Sequence, residues 1–197
     1  MENDENKILS ANKNNSNSQE IRIIYKPQKT KNKRTKIFGS YFANNNKYNC
    51  KIIYKDSEYD LISYFNLENN NEIKLKINKN LTDISHMFEQ CESLLLLPDL
   101  SKWDTSKVTN MNSMFSECYS LSYLPNIGKW DLSKVTDISK MFDKCISLCF
   151  IHNIHLKNMN NFYSIFNNCI SLSYLPELNT DIPNYNYLGK NIINCLK

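Results

Sequence analysis

Residues 108–134 read VTNMNSMFSECYSLSYLPNIGKWDLSK, and the residues before them, 81–107, read LTDISHMFEQCESLLLLPDLSKWDTSK. Weaker copies of the same plan follow at 135–158 and 159–178. Phe88, Phe115, Phe142 and Phe166 hold one position of this repeat, and Cys91, Cys118, Cys145 and Cys169 hold another. A period in this range is the signature of supersecondary units that bury their apolar faces on one another.

Within residues 108–134, Met111, Met114, Phe115 and Cys118 fall at i, i+3, i+4 and i+7, the apolar face of a short helix. Thr109 or Asn110 stands where an N-cap belongs, as do Thr82 or Asp83, Thr136 or Asp137, and Asn160 or Asn161. After the cysteine, Leu121, Leu124 and Ile127 recur at every third residue with Pro125 among them, and proline cannot continue a helix, so this part is extended. Lys129-Trp130-Asp131 then leads into the next unit. Each unit reads as helix, extended segment and return loop, with apolar side chains that have no partner inside it. Stacking is the only way to gain the roughly 1.5–3 kcal/mol that each large side chain contributes on burial. The expected fold is an α/β solenoid, a short stack of about four helix–strand coils, preceded by a small β-rich N-terminal cap. The third unit is shorter where tryptophan would stand and has His152 in place of proline; the fourth loses the tryptophan segment altogether.

Outward from the repeats, four regions are expected. Residues 1–19 are polar and have almost nothing to bury, which predicts disorder. Residues 20–79 hold strand patterns: Ile21 to Tyr25; a hairpin of Cys50 to Tyr54 and Tyr59 to Leu61 around Lys55 to Glu58; and Glu72 to Ile77, alternating at period 2. Placed before the first repeat, they can cover its exposed apolar end, and repeats 80–178 follow. Residues 179–197 contain Ile182, Tyr185, Tyr187, Leu188, Ile192, Ile193 and Leu196, and are expected to cover the last coil.

A formal net charge of +4 is too mild to argue for nucleic acid. The opening MENDENKILSANKNNSNSQE has no apolar core of a secretory signal, and no apolar run reaches the ~18 residues of a membrane span. The expectation is a cytoplasmic monomer without a membrane span, with the cell surface as the alternative. Four of the 7 cysteines share one repeat position amid apolar neighbours, which reads as free, buried thiols.

The two full copies at 81–107 and 108–134 resemble the BspA-type leucine-rich repeat family, in the variant first noted as a mycoplasma-type surface-protein repeat. Ile37-Phe38-Gly39-Ser40-Tyr41-Phe42-Ala43-Asn44-Asn45, followed by Cys50-Lys51-Ile52-Ile53-Tyr54, also looks like the segment preceding such repeats in protist members. The resemblance covers about half the chain and implies a leucine-rich-repeat-like stack used for binding. Many bacterial members are surface or adhesion proteins.

Neighbours in an extended segment point to opposite faces. If Leu97, Leu124, Ile151 and Leu175 face inward, then Leu96, Tyr123, Phe150 and Tyr174 form an outward row, flanked by Asp99, Asn126, Asn153 and Glu177. Aromatic side chains with polar neighbours are what protein interfaces favour, although aromatics also suit strands for packing alone. These eight residues are the protein-binding candidates. Cys145, Cys149, His152 and His155 match no zinc-module spacing, so no metal is expected. The run Lys29 to Lys36 is basic but lacks interleaved aromatics, so nucleic acid is not expected either. With 3 glycines, a phosphate-binding loop is hard to build, and no catalytic constellation or cofactor motif stands out. Asp104 and Asp131, after each tryptophan, suit capping of the return turn. The expected function is a non-catalytic module that presents a rigid surface to a protein partner. Surface adhesion is one alternative, and a structural or relic product of an expanded repeat family is another.

Overall fold

The computed structural model describes residues 18–27, 34–68, 71–98, 100–125, 127–156, 161–173 and 178–180. In chain order its elements are β1 (Ser18–Tyr25), β2 (Thr35–Lys36), α1 (Ser40–Asn46), β3 (Cys50–Tyr54), β4 (Ser57–Asp60), β5 (Tyr64–Phe65), β6 (Glu72–Asn78), β7 (Leu94–Leu96), β8 (Ile154–Leu156) and β9 (Leu178–Thr180). Short 3-10 turns stand at Leu100–Lys102 and Ile127–Lys129.

Alternating side chains build the main sheet. Ile21, Ile23 and Tyr25 of β1, Ile73, Leu75 and Ile77 of β6, and Cys50, Ile52 and Tyr54 of β3 are buried on one face. Period-2 patterns of this kind form half-buried strands. The five strands run in the order β4-β3-β6-β1-β7, each antiparallel to its neighbour. The outer face carries cross-strand ion pairs: Arg22–Glu72 at 2.8 Å, Lys76–Glu58 at 2.6 Å and Lys51–Asp60 at 2.6 Å. Exposed pairs of this kind add little stability, but they neutralise the face. The β3–β4 turn is tighter than the sequence suggests. Lys55 and Asp56 alone form it, both with positive φ, as a primed two-residue hairpin turn requires, and so Ser57 and Glu58 join the strand.

The predicted α/β solenoid of helix–strand coils is not formed. The described residues are mostly β-sheet, a five-stranded antiparallel sheet with two two-stranded sheets, and they carry a single helix, α1, which lies outside the repeats. The spacing of Met111, Met114, Phe115 and Cys118 does place all four in the core, but on consecutive turns rather than an α-helix. Two residues per repeat take positive φ: His86 and Gln90, Ser113 and Glu117, Lys140 and Lys144, Ser164 and Asn168. An α-helix cannot pass through such residues.

The backbone hydrogen bonds then divide. Alternate N–H groups cross to the next repeat: Met111 to the Asp137 carbonyl, Ser113 to Ser139, Phe115 to Met141 and Glu117 to Asp143, at 2.8 to 2.9 Å. The intervening ones close i→i+3 turns, as from Met114 to Met111 and from Cys118 to Phe115. Ser85, Asn112 and Ser139 donate their N–H to the side chains of Asp83, Asn110 and Asp137, so the expected N-caps are Asx turns.

One hydrophobic core runs from Ile21 to Leu172. Its axis is a file of rings: Phe88, Phe115, Phe142 and Phe166 stack with centroids 5.5 Å apart. Phe38, just before α1, extends the file at 5.7 Å from Phe88. Cys118, Cys145 and Cys169 each donate the thiol to a phenylalanine carbonyl of the preceding repeat, at Phe88, Phe115 and Phe142, while Cys91 of the first repeat turns its thiol to the Glu89 carbonyl. The Trp103 and Trp130 rings meet edge to face at 5.4 Å, and Trp130 Nε1 donates to the Leu100 carbonyl at 3.0 Å.

The extended segment of the first repeat is β7, which pairs with β1 through Ile24↔Leu96 and so ties the N-terminal sheet to the repeats. The expected disordered tail and C-terminal cover, residues 1–17 and 181–197, lie outside the described residues; Ser18 and Gln19 already belong to β1. Among the described residues no helix is long and apolar enough to cross a membrane.

Candidate functional site

Leu97, Leu124 and Ile151 are fully buried, which turns the residues before them outward. Tyr123 is 42% exposed, while Leu96 and Phe150 are half-buried. Tyr123 and Phe150 form a parallel bridge, supported by the Cys149 N–H donating to the Ser122 carbonyl at 3.1 Å. Their rings stack at 6.3 Å and 22°. His152 stands edge to face on Phe150 at 4.8 Å, and Asn153 beyond it is exposed. The two rings cover the faces that they turn to each other.

The structure therefore brings Tyr123 and Phe150 together and leaves Asn153 beside them. It moves Leu96 into the N-terminal sheet as a β7 residue. Tyr174, Asp99, Asn126 and Glu177 lie outside the described residues.

His152 enters the site as a ring neighbour of Phe150. Cys145 is committed to the Phe115 carbonyl at 3.0 Å, and the exposed Cys149 donates to the Ser147 carbonyl at 3.2 Å. Among the described residues no three His, Cys, Asp or Glu side chains gather to hold an ion. Of the basic run, residues 29–33 lie outside the described residues, and Thr35–Lys36 form β2.

Two surface rows escaped the sequence reading. Ile146 and Ile170 are 39% and 62% exposed, each directly after a repeat cysteine. The signal was available in that shared position. The second row is polar. Lys36 Nζ donates to Gln90 Oε1 at 3.0 Å, and Lys144 Nζ to Glu117 Oε1 at 2.7 Å. The Lys144 hydrogen bond holds the Glu117 carboxyl below its ordinary pKa. Gln90, Glu117 and Lys144 hold the same positive-φ position of successive repeats, which the linear chain does not reveal.

At the return turns, Asp104 accepts from the Ser106 N–H and hydroxyl at 3.1 and 2.6 Å, and Asp131 accepts from the Ser133 N–H at 3.0 Å. Both carboxylates thus organise their own loops.

Residues 59–177, more than half of the chain, match the family described as Mycoplasma protein of unknown function, DUF285. No curated protein and no solved structure matches the chain.

Proposed function

We propose that this chain, which belongs to the DUF285 family of proteins of unknown function, is a non-catalytic protein-interaction module whose contact strip centres on Tyr123 and Phe150. The observation that carries the reading is the pair of exposed Tyr123 and half-buried Phe150, whose rings stack at 6.3 Å across a parallel bridge. The bridge between the two repeats holds these side chains before a partner arrives, which lowers the ordering cost of association. The exposed part of Tyr123 suits contact with a partner's apolar side chains. His152 and Asn153 add polar tips at the rim, and aromatic centres with polar rims are where binding energy concentrates at protein interfaces.

Within the family we place the chain among BspA-type members, on the strength of the two full copies at 81–107 and 108–134. Surface adhesion, the alternative which that placement carries, predicts protease-accessible protein on intact cells.

The test is proximity labelling in the protein's own cell, comparing the natural chain with the Tyr123→Ser, Phe150→Ser double variant. The reading expects an unchanged thermal melt and the loss of specific neighbours. An unchanged neighbour set with an unchanged melt would overturn it.

A further inference from the structure

The return loops of the first two repeats share one plan, Lys-Trp-Asp-x-Ser-Lys, at 102–107 and 129–134. Both loops are anchored. Trp103 and Trp130 are buried edge to face, and Thr105 and Leu132 are buried with them. Asp104 and Asp131 fix the turns by accepting from Ser106 and Ser133. The charged residues stand outside: Lys102, Asp104, Lys107, Lys129, Asp131 and Lys134 are all exposed. Contacts between the repeats keep the loops in register. The Thr105 hydroxyl donates to the Asp131 carbonyl at 3.0 Å, and the Thr109 and Thr136 N–H groups donate one repeat back, to the carbonyls of Thr82 and Thr109. Lys129 therefore follows Lys102 along the stack, and Lys134 follows Lys107.

Like charges at adjacent positions of a ladder repel. Elsewhere on the stack this is avoided. Lys144 pairs with Glu117 at 2.7 Å, and Asn110 and Asn161 alternate with Asp83 and Asp137, each amide donating to the preceding carboxylate. The return loops do the opposite. Lys107 reaches the neutral Asn80 side chain, and among the described residues Lys107, Lys129 and Lys134 form no ion pair. A local arrangement that works against the fold in this way marks a functional surface.

We propose that Lys107, Lys129 and Lys134, with Lys102 in register, form a docking surface whose occupant is an acidic segment of a protein partner. Charge complementarity selects this occupant. Across each loop the order is lysine, aspartate, lysine, so two lysine rows flank an aspartate row. A protein segment can set carboxylates on the lysine rows and a neutral or basic residue on the aspartate row. A nucleic acid or a sulfated glycan is charged along its whole length and meets Asp104 and Asp131 as well, a like-charge contact that opposes binding. Burial of Trp103 and Trp130 also leaves no ring face on these loops for a base to stack on. The anchored loops hold the lysine backbones in place before the partner arrives, which lowers the ordering cost. The surface shares no residue with the Tyr123–Phe150 strip and stands independently of it.

The test is fluorescence anisotropy with a labelled peptide of about 16 residues that alternates glutamate and serine, so that its carboxylates share one face when extended. The full chain is compared with a Lys107→Gln, Lys129→Gln, Lys134→Gln variant and with a Lys26→Gln, Lys47→Gln, Lys140→Gln variant of the same net charge. The expected result is binding by the natural chain that weakens with salt, a loss of at least about tenfold in the first variant and near-natural affinity in the second. No binding by the natural chain, or an unchanged affinity in the first variant, would overturn the proposal. So would an equal loss in both variants, since net charge alone would then be acting. Displacement of the peptide by a single-stranded oligonucleotide or by heparin at a lower concentration than by unlabelled peptide would replace the protein partner with a polyanion. Self-association in sedimentation that the first variant abolishes would make a second copy the occupant and overturn the proposal too. Should the first variant melt early, the single Lys129→Gln takes its place, with a loss of about twofold expected and an unchanged affinity counting against the surface.

Discussion

Gly39 lies so close to His86 that a β-carbon on Gly39 would stand 1.9 Å from the His86 carbonyl oxygen. Its φ is −61°, so the demand is for space rather than for an unusual backbone. The approach lets the Gly39 N–H reach the Met87 carbonyl and seats Phe38 on the ring file. Gly39→Ala should therefore cost about 1–3 kcal/mol, the range for overpacking, because the obstacle is backbone and cannot swing aside. Urea unfolding measures this, and an unchanged midpoint would mean that α1 is not seated on the first repeat.

Phe115 has rings on both faces, Phe88 and Phe142, each 5.5 Å away. Phe115→Ala should cost about 3–5 kcal/mol, through lost transfer energy and the cavity left behind. A neutral result in denaturant melts would contradict the ring file as the core of the repeats.

Lys140 takes a φ of 55° with its ammonium 5.7 Å from the Tyr163 ring centre. β-Branched residues resist this backbone region, whereas asparagine tolerates it. Lys140→Val should cost about 1–3 kcal/mol and Lys140→Asn well under half of that. Equal melting temperatures for the two variants would show that the turn relaxes away from positive φ.

The Asp104 and Asp131 carboxyls are held below their ordinary pKa, first by the side-chain hydrogen bonds from Ser106 and Ser133. A depressed folded-state pKa contributes stability that is present above the unfolded value, about 3.9 for aspartate, and is lost as pH falls through the folded value. Urea midpoints should thus decline below about pH 4. In an Asp104→Asn, Asp131→Asn variant that decline should be shallower. An identical acid profile would remove the two turns from the acid response.

Burial pushes the thiol pKa of Cys118 and Cys145 well up, and that of Cys50 to about 12. Cys149 is exposed. Because the thiolate is the reacting species, brief alkylation at neutral pH should modify Cys149 in the folded chain. Cys50, Cys91, Cys118, Cys145 and Cys169 should react only with denaturant present. Peptide mass spectrometry reads the order, and early loss of Cys118 would indicate that the repeats open locally.

Much of the interior was legible from spacing alone. Phe88, Phe115, Phe142 and Phe166 share a repeat position because each needs the ring of the next unit, and the core uses all four. The alternation of Glu72 to Ile77 suffices for β6, because a half-buried strand has few other ways to hide every second residue. The helix reading failed for a definable reason. Apolar residues at i, i+3, i+4 and i+7 mark one face of any chain that turns once in three to four residues. The pattern cannot distinguish i→i−4 bonds from i→i+3 turns. What separates them is where the remaining N–H groups go, and Phe115 sends its own to Met141, 26 residues away.

The candidate strip divides in the same way. Its outward direction followed from alternation against Leu124 and Ile151. The pairing of Tyr123 with Phe150, the addition of His152 and the transfer of Leu96 into the sheet required the backbone path of neighbouring repeats.

By itself, then, the amino-acid order determined the period, the identity of the buried residues and the side of the extended segment that faces solvent. All three are properties of local spacing and hydrophobicity. The tertiary structure alone decided that the turns are non-helical, that β7 joins the N-terminal sheet and that Tyr123 pairs with Phe150. Each of these depends on backbone groups finding partners more than twenty residues away, and no local pattern encodes that choice.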